Sequence, residues 1–183
     1  MRQLIVTAWM SLDGVFDSDL MNKWFEPYHT DSRATSIRDT IDNCDVMLYG
    51  RHTYEMMYPY WSSLKNNEMG VAGKLNAVKK YVVSTTLKEA PWQPSTILGQ
   101  NAMKEIAALK DQEGGAILVQ GSATLVKSLL EAKLVDELKL VIQPHIQGSG
   151  KRLFEGELNV GLERVDIQKL DKGVTVVRFK PIR

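Results

Sequence analysis

Apolar positions along this chain follow two rhythms. Short, nearly unbroken runs recur at Leu4-Ile5-Val6-Thr7-Ala8-Trp9, Asp45-Val46-Met47-Leu48-Tyr49, Lys80-Tyr81-Val82-Val83-Ser84 and Ala116-Ile117-Leu118-Val119. A fifth spans Leu138 to Ile142 and is ended by Pro144. Runs of this length and β-branched content predict strands buried on both faces. Between them the spacing becomes helical. Ala34, Ile37, Ile41 and Cys44 predict a helix that starts near Thr30. Ala102, Ile106 and Leu109 predict a second, capped by Asn101 and running to about Lys110. Leu125, Val126, Leu129 and Leu130 predict a third over Ala123 to Ala132, while Arg51 to Tyr58 reads as a short helix that Pro59 helps to end.

Two stretches lack a period. Met10 to His29, with Asp13-Gly14 and Pro27, reads as a long loop, and long ordered loops often carry function. Ser62 to Asn76 reads as a polar loop with one helical turn. The tail predicts an antiparallel hairpin, Leu162–Leu170 and Val174–Lys180, turning at Asp171-Lys172-Gly173. Strands alternating with helices imply βαβ units. The predicted fold is a three-layer α/β/α sandwich around a mainly parallel sheet, with the hairpin adding antiparallel strands at one edge. That hairpin carries Val174, Thr175, Val176 and Val177, a β-branched surface that predicts a two-fold homodimer.

The chain has 183 residues and 20.6 kDa, which fits one domain. Lys and Arg number 23 against 22 Asp and Glu, so no net charge draws it to nucleic acid or a membrane surface. No run approaches the ~20 apolar residues of a membrane span. The start of the chain has no secretory leader pattern, and the one cysteine, Cys44, excludes an intramolecular disulfide; both point to the cytoplasm. Cys44 lies on an apolar stripe and reads as core rather than nucleophile. His29, His52 and His145 lack metal-ligand spacing, and no Gly-x-Ser-x-Gly elbow favours a hydrolase. Gly148-Ser149-Gly150-Lys151 ends like a phosphate loop, but His145 and Arg152 stand where that motif needs Gly and Ser or Thr.

Open parallel sheets bind ligands beyond the carboxyl ends of their strands. Two strand ends here pass through glycine into a helix: Gly50-Arg51-His52-Thr53 and Gly121-Ser122-Ala123-Thr124. A helix start presents unpaired N–H groups and about half a positive charge, so each junction is suited to a phosphate. Ser84 and Thr85 add hydroxyls at a third strand end. Together they fit a ligand with several phosphates, such as a dinucleotide.

The run Gly50-Arg51-His52-Thr53-Tyr54-Glu55 closely resembles the pyrophosphate-binding junction of dihydrofolate reductases. Val82-Val83-Ser84-Thr85-Thr86 resembles their adenosine-side strand end, and Gly121-Ser122-Ala123-Thr124 their glycine pair. Ser11-Leu12-Asp13-Gly14, Val135-Asp136-Glu137-Leu138 and Gly148-Ser149-Gly150-Lys151-Arg152-Leu153-Phe154 resemble a narrower group, the reductase domain of bacterial riboflavin biosynthesis and its stand-alone relatives. The resemblance implies a dihydrofolate-reductase-like fold, NADPH as cofactor, hydride transfer to a small heterocycle, and a homodimer. Gly50, Arg51, His52 and Thr53 would hold the pyrophosphate and 2′-phosphate, Ser84 and Thr85 the adenosine end, and Gly121 to Thr124 the pyrophosphate from the other side. Ala8 would lie under the nicotinamide.

Hydride transfer is mostly positioning, and a proton must also reach the substrate. Asp13 is the acid nearest the first strand end, so it is the expected proton relay; the other reading of Asp13-Gly14 is a turn. Trp9, Trp24, Phe25, Tyr28 and Tyr54 are the expected aromatic walls for the substrate. Three functions stand open: a reductase of a pterin- or pyrimidine-like ring, a true dihydrofolate reductase or riboflavin-pathway pyrimidine reductase, and a nucleotide-binding module without turnover.

Overall fold

The structure, a computed structural model, describes residues 1–182. The strands are β1 (Leu4–Ser11), β2 (Cys44–Gly50), β3 (Lys79–Val83), β4 (Ser95–Leu98), β5 (Ala116–Gln120), β6 (Glu137–Gln143), β7 (Leu162–Lys169) and β8 (Thr175–Pro181). They form one sheet in the order β4-β3-β2-β5-β1-β6-β8-β7. The first six run parallel, while β8 is antiparallel to β6 and β7 to β8. The helices are α1 (Met21–Trp24), α2 (Asp31–Asp42), α3 (Arg51–Ser63), α4 (Ala72–Ala77), α5 (Ala102–Asp111) and α6 (Ala123–Glu131). Among the described residues no helix is long and apolar enough to cross a membrane.

The two rhythms in the sequence map onto two cores, one per sheet face. On one face Leu4, Val6 and Ala8 of β1 pack with Ile106 and Leu109 of α5 and Leu125, Val126 and Leu129 of α6. On the other, Met47 and Tyr49 of β2 pack with Ile41 of α2, Tyr54 and Met57 of α3 and Leu75 of α4. Cys44 belongs to this second core, and burial raises its thiol to about 11. The chain leaves β1 for β2 on one side and reaches β6 on the other, with β5 inserted between β1 and β2. The direction of winding therefore changes around β1 and β5, which puts their carboxyl ends at the position where such sheets bind ligands.

Several expectations change. Pro59 lies inside α3, which continues to Ser63. The carbonyl freed four residues earlier belongs to Glu55, and both residues are exposed, so water can satisfy it. Asn101 does not cap α5 with its side chain; the helix grows from a turn in which Ala102 N donates to the Gly99 carbonyl. Thr30 does cap α2, its side chain accepting from Arg33 N at 3.2 Å. The stretch after Met10 is less irregular than its sequence reads: β1 runs to Ser11, and short helical turns occupy Ser18–Leu20, Met21–Trp24 and Glu26–Tyr28. The hairpin turns where expected, with Lys172 and Gly173 at φ 54° and 74°. Its valines face inward, however. Val174, Val176 and Val177 are buried, so the surface from which the homodimer was expected is covered by the chain itself. The edge strand on this side of the sheet is β7, exposed along all eight residues.

Candidate functional site

A cleft of about 580 Å³ opens at the carboxyl ends of β1 and β5. Thr7, Ala8 and Trp9 of β1 line it, with Gln120 at the end of β5. His52 and Thr53 from the first turn of α3, and Gly121 to Thr124 leading into α6, close one side. Neither helix start has a side-chain cap: the residues before them, Gly50 and Ser122, make no cap hydrogen bond with their side chains. First-turn N–H groups of two helices thus face one cavity, an arrangement that favours anions. Ser122 holds a left-handed φ of 68° directly after Gly121 at 66°. A residue with a Cβ in that conformation stores about 1–3 kcal/mol of strain, a cost that concentrates at binding sites. Gly50 is fixed by the same junction. A Cβ there would meet Ser122 Oγ, which would have to turn away, and come within 3.3 Å of Ser122 Cβ, so the two helix starts approach closely at these residues.

The opposite wall comes from two loops that the sequence separates by more than 130 residues. Phe16 N donates to the Lys151 carbonyl at 2.9 Å, Lys151 N to Asp17 Oδ2 at 3.1 Å, and Val15 bridges Arg152. Phe16, Asp17, Asp19, Lys151, Arg152 and Glu155 reach the cleft this way. Sequence reasoning assigned none of them a role in the site, although the Gly148–Phe154 motif did mark the segment. Gly150, at φ 118°, fits where Val15, Asp17 and Leu20 crowd it.

Among the expected aromatic walls, Trp9 and Trp24 line the cleft. Trp24 is buried and donates its indole N–H to the Asp17 carbonyl at 3.1 Å, which fixes the turn. Phe25 stacks behind Trp9 at 5.2 Å, with the buried Arg33 guanidinium 3.8 Å over its ring. Burial lowers Arg33 to about 10. Tyr28 instead pins the end of β6, donating to the Pro144 carbonyl. Tyr54 is corrected outright: it is buried against Tyr49, Tyr58 and Trp92, and its hydroxyl accepts from Trp92 N at 2.7 Å. The i,i+3 spacing from the helix start turns Tyr54 toward the core and away from the cleft.

Arg51 and Ser84 meet at a separate place, beyond β2 and β3. Arg51 Nη1 donates to Thr86 Oγ1 at 2.9 Å, and Ser84 Oγ lies 3.4 Å from that same oxygen. Thr85 is exposed beside them. None of the three lines the cleft.

Asp13 is the second correction. Its carboxylate accepts from Ser11 Oγ at 2.6 Å, Gln147 N at 3.0 Å and Gly148 N at 2.8 Å. Arg152 donates to its carbonyl and lies 3.8 Å from its Oδ2. The Ser11 hydroxyl and these N–H groups hold the carboxyl well below its ordinary range, so it stays ionised and has no proton to give. Asp13 joins the two loops of the outer wall. A depressed carboxylate stabilises the fold above its unfolded pKa of about 3.9, and that contribution is lost as pH falls through and below it. Asp13→Asn should therefore lower the urea midpoint at pH 7, by about 1 kcal/mol of stability after allowing for solvent screening, with the gap to the parent closing below pH 4. A gap constant from pH 2 to 7 would contradict this role.

A family model described as the RibD C-terminal domain matches residues 2–176. Bacillus subtilis YyaP is 30% identical over 146 residues, covering 77% of this chain and 76% of its own. Among solved structures, a riboflavin biosynthesis protein of Shewanella sp. PV-4 superposes with a TM-score of 0.74 at 21% identity over 99% of both chains. Dihydrofolate reductase from Enterococcus faecalis, complexed with NADP(H), gives 0.66 at 17% identity over 99% and 97%. A Thermotoga maritima deaminase/5-amino-6-(5-phosphoribosylamino)uracil reductase gives 0.69 at 16% identity over 99% of this chain and 57% of that one. The fold is dihydrofolate-reductase-like, as the sequence motifs predicted.

Proposed function

This chain belongs to the RibD C-terminal domain family, and on that premise we propose that it is an NADPH-dependent reductase of a small pterin- or pyrimidine-like ring. The observation that carries the reading is the pair of uncapped helix starts, in close approach at Gly50 and Ser122, opening on one cleft. The residues present fit a dinucleotide. His52 and Thr53 on one side and Ser122 to Thr124 on the other would hold its pyrophosphate, and Arg51, Ser84 and Thr86 its adenosine end. Ala8, the smallest side chain along the floor, leaves room for a flat ring, and the indoles of Trp9 and Trp24 keep water from it. NADPH, when bound, supplies a hydride. The loops joined by Asp13 cover that position.

Saturating NADPH should raise the melting temperature by roughly 5–10 °C, since a ligand at a hundred times its Kd adds about 2.7 kcal/mol to a chain of this size. NADPH oxidation against a panel of pterins and pyrimidines then tests turnover. No thermal shift at millimolar NADPH overturns the cofactor assignment, and a shift without turnover on any ring leaves a nucleotide-binding module.

A further inference from the structure

The indoles of Trp9 and Trp24, which line the cleft, rest on one ring behind them. Phe25 stacks on Trp9 with 5.2 Å between ring centroids and 29° between planes, and it meets Trp24 edge-on at 5.8 Å. Phe25 follows α1 directly, in a stretch of short helical turns that no strand pairing holds to the sheet. Arg33 of α2 holds it instead. The guanidinium carbon lies 3.8 Å over the Phe25 ring, and Nη1 donates to the Phe25 carbonyl at 2.6 Å. One side chain thus fixes both the ring and the backbone that carries it.

Arginine is a costly choice for this task. Arg33 is 1% exposed, and its Nε is buried without a hydrogen bond. Nη2 lies 3.5 Å from Nδ1 of the exposed His29. Among the described residues no carboxylate pairs with the guanidinium, and burial alone acts on its charge. A ring face returns only part of what burial takes from a cation. An apolar side chain of similar length would fill the place without that cost. The Phe25 carbonyl would still have a partner, because Tyr28 N donates to it at 3.2 Å. Buried polar groups left uncompensated ask for an explanation, and native chains break this rule mainly at functional sites.

We propose that Arg33 is the positioning residue of the aromatic wall: acting through Phe25, it holds the Trp9 and Trp24 indoles in the planes that receive the substrate ring. The inference rests on the reductase reading and adds to it a residue that touches neither cofactor nor substrate. Trp9 directly follows Ala8, so a tilt of its indole changes the space left for two stacked rings. Hydride transfer depends on that space, because the reacting atoms must meet at about 3–3.5 Å. Binding of the cofactor's phosphates depends on the helix starts of α3 and α6, so loosening the wall should spare NADPH affinity.

The test compares the parent with Arg33→Met, Arg33→Lys, Phe25→Leu and the double variant Arg33→Met/Phe25→Leu. Acrylamide quenching of tryptophan emission reports the wall, and Trp9→Phe identifies the share that belongs to Trp9. Arg33→Met removes an unpaired buried cation, so its urea midpoint should equal or exceed the parent's. Its Trp9 should nevertheless be quenched more readily, toward the level of the unfolded chain. A residue that served folding alone would show the reverse, a lower midpoint with Trp9 still shielded. For the best ring of the pterin and pyrimidine panel, kcat/KM should fall roughly 10–100-fold in Arg33→Met, the worth of a misplaced ring, with NADPH affinity unchanged. Arg33→Lys keeps a charge near the Phe25 ring and should recover part of both losses. Phe25→Leu should reproduce them, and the double variant should add nothing further, because the two residues act in one chain of contacts. Parent-like quenching in Arg33→Met, or losses that add in the double variant, overturns the assignment. Should Arg33→Met not fold, an Arg33→Lys variant no better shielded than Phe25→Leu overturns it. Absence of NADPH binding or of turnover counts against the reductase reading alone, and quenching then still decides the role of Arg33.

Discussion

Asp136→Ala is expected to cost about 3 kcal/mol of folding stability, the low end of the range for breaking a buried ion pair from one side. Asp136 Oδ2 accepts from Lys110 Nζ at 2.5 Å and from Leu4 N at 2.8 Å, while Asp136 N donates to the Leu4 carbonyl at 2.9 Å. One residue thus ties the start of β1, the last turn of α5 and the approach to β6. Lys110 is 7% exposed, and its other recorded partner is the Leu134 carbonyl. Alanine would leave its ammonium buried with no counter-charge. The Asp136 side chain is 26% exposed, so water reaches the pair and places the loss near 3 rather than 5 kcal/mol. The companion variant Lys110→Met removes the cation and should recover part of the loss when combined with Asp136→Ala, because no unpaired charge remains. Urea unfolding of the four proteins measures this. A single-variant loss under 1 kcal/mol, or no recovery in the double variant, would contradict it.

The same residue shows what the sequence could and could not tell. Val135-Asp136-Glu137-Leu138 was legible as a family motif, but its sense is structural: Asp136 holds Lys110, and Glu137 holds Arg178 in a two-point pair. The central strands were legible because they are covered on both faces and therefore read as unbroken apolar runs. β4 was not, because Ser95-Thr96-Ile97-Leu98 is a short edge strand and two of its four residues are polar. The strand–glycine–helix junctions were legible since a glycine at a strand end followed at once by a helix start is a local pattern. The outer wall of the cleft was not. It exists through pairings such as Phe16 with Lys151 and Asp13 with Gln147, which join segments more than 130 residues apart. Asp13 took its role from that distant loop, and proximity to a strand end was a poor guide.

Arg51→Ala should weaken NADPH by roughly 10–100-fold and leave NADH nearly untouched, on the proposed placement of the cofactor. The backbone at His52 and Thr53 attracts any pyrophosphate, so it cannot tell the two cofactors apart. Arg51 is placed differently. It opens α3 but turns out of the cleft toward β3, where it meets Thr86 and, through the same oxygen, Ser84. On that placement a guanidinium and two hydroxyls would receive the group that only NADPH carries, its 2′-phosphate, and a guanidinium is the side chain best suited to a phosphate. Its competing partner is weak: Glu55 lies 3.7 Å away, and both side chains are more than a third exposed. Surface pairs of this kind are worth about 0–1 kcal/mol, so Arg51 can turn to a phosphate at little cost. A hydrogen bond to a charged partner contributes about 1.5–3 kcal/mol, which sets the expected range. Thr86→Val should cost less, since it removes a neutral hydroxyl, and the NADPH preference should shrink as salt screens the guanidinium. Titrating both cofactors against both variants at two salt concentrations measures this. Equal weakening of NADPH and NADH by Arg51→Ala would place Arg51 on the shared pyrophosphate and remove the basis for selectivity.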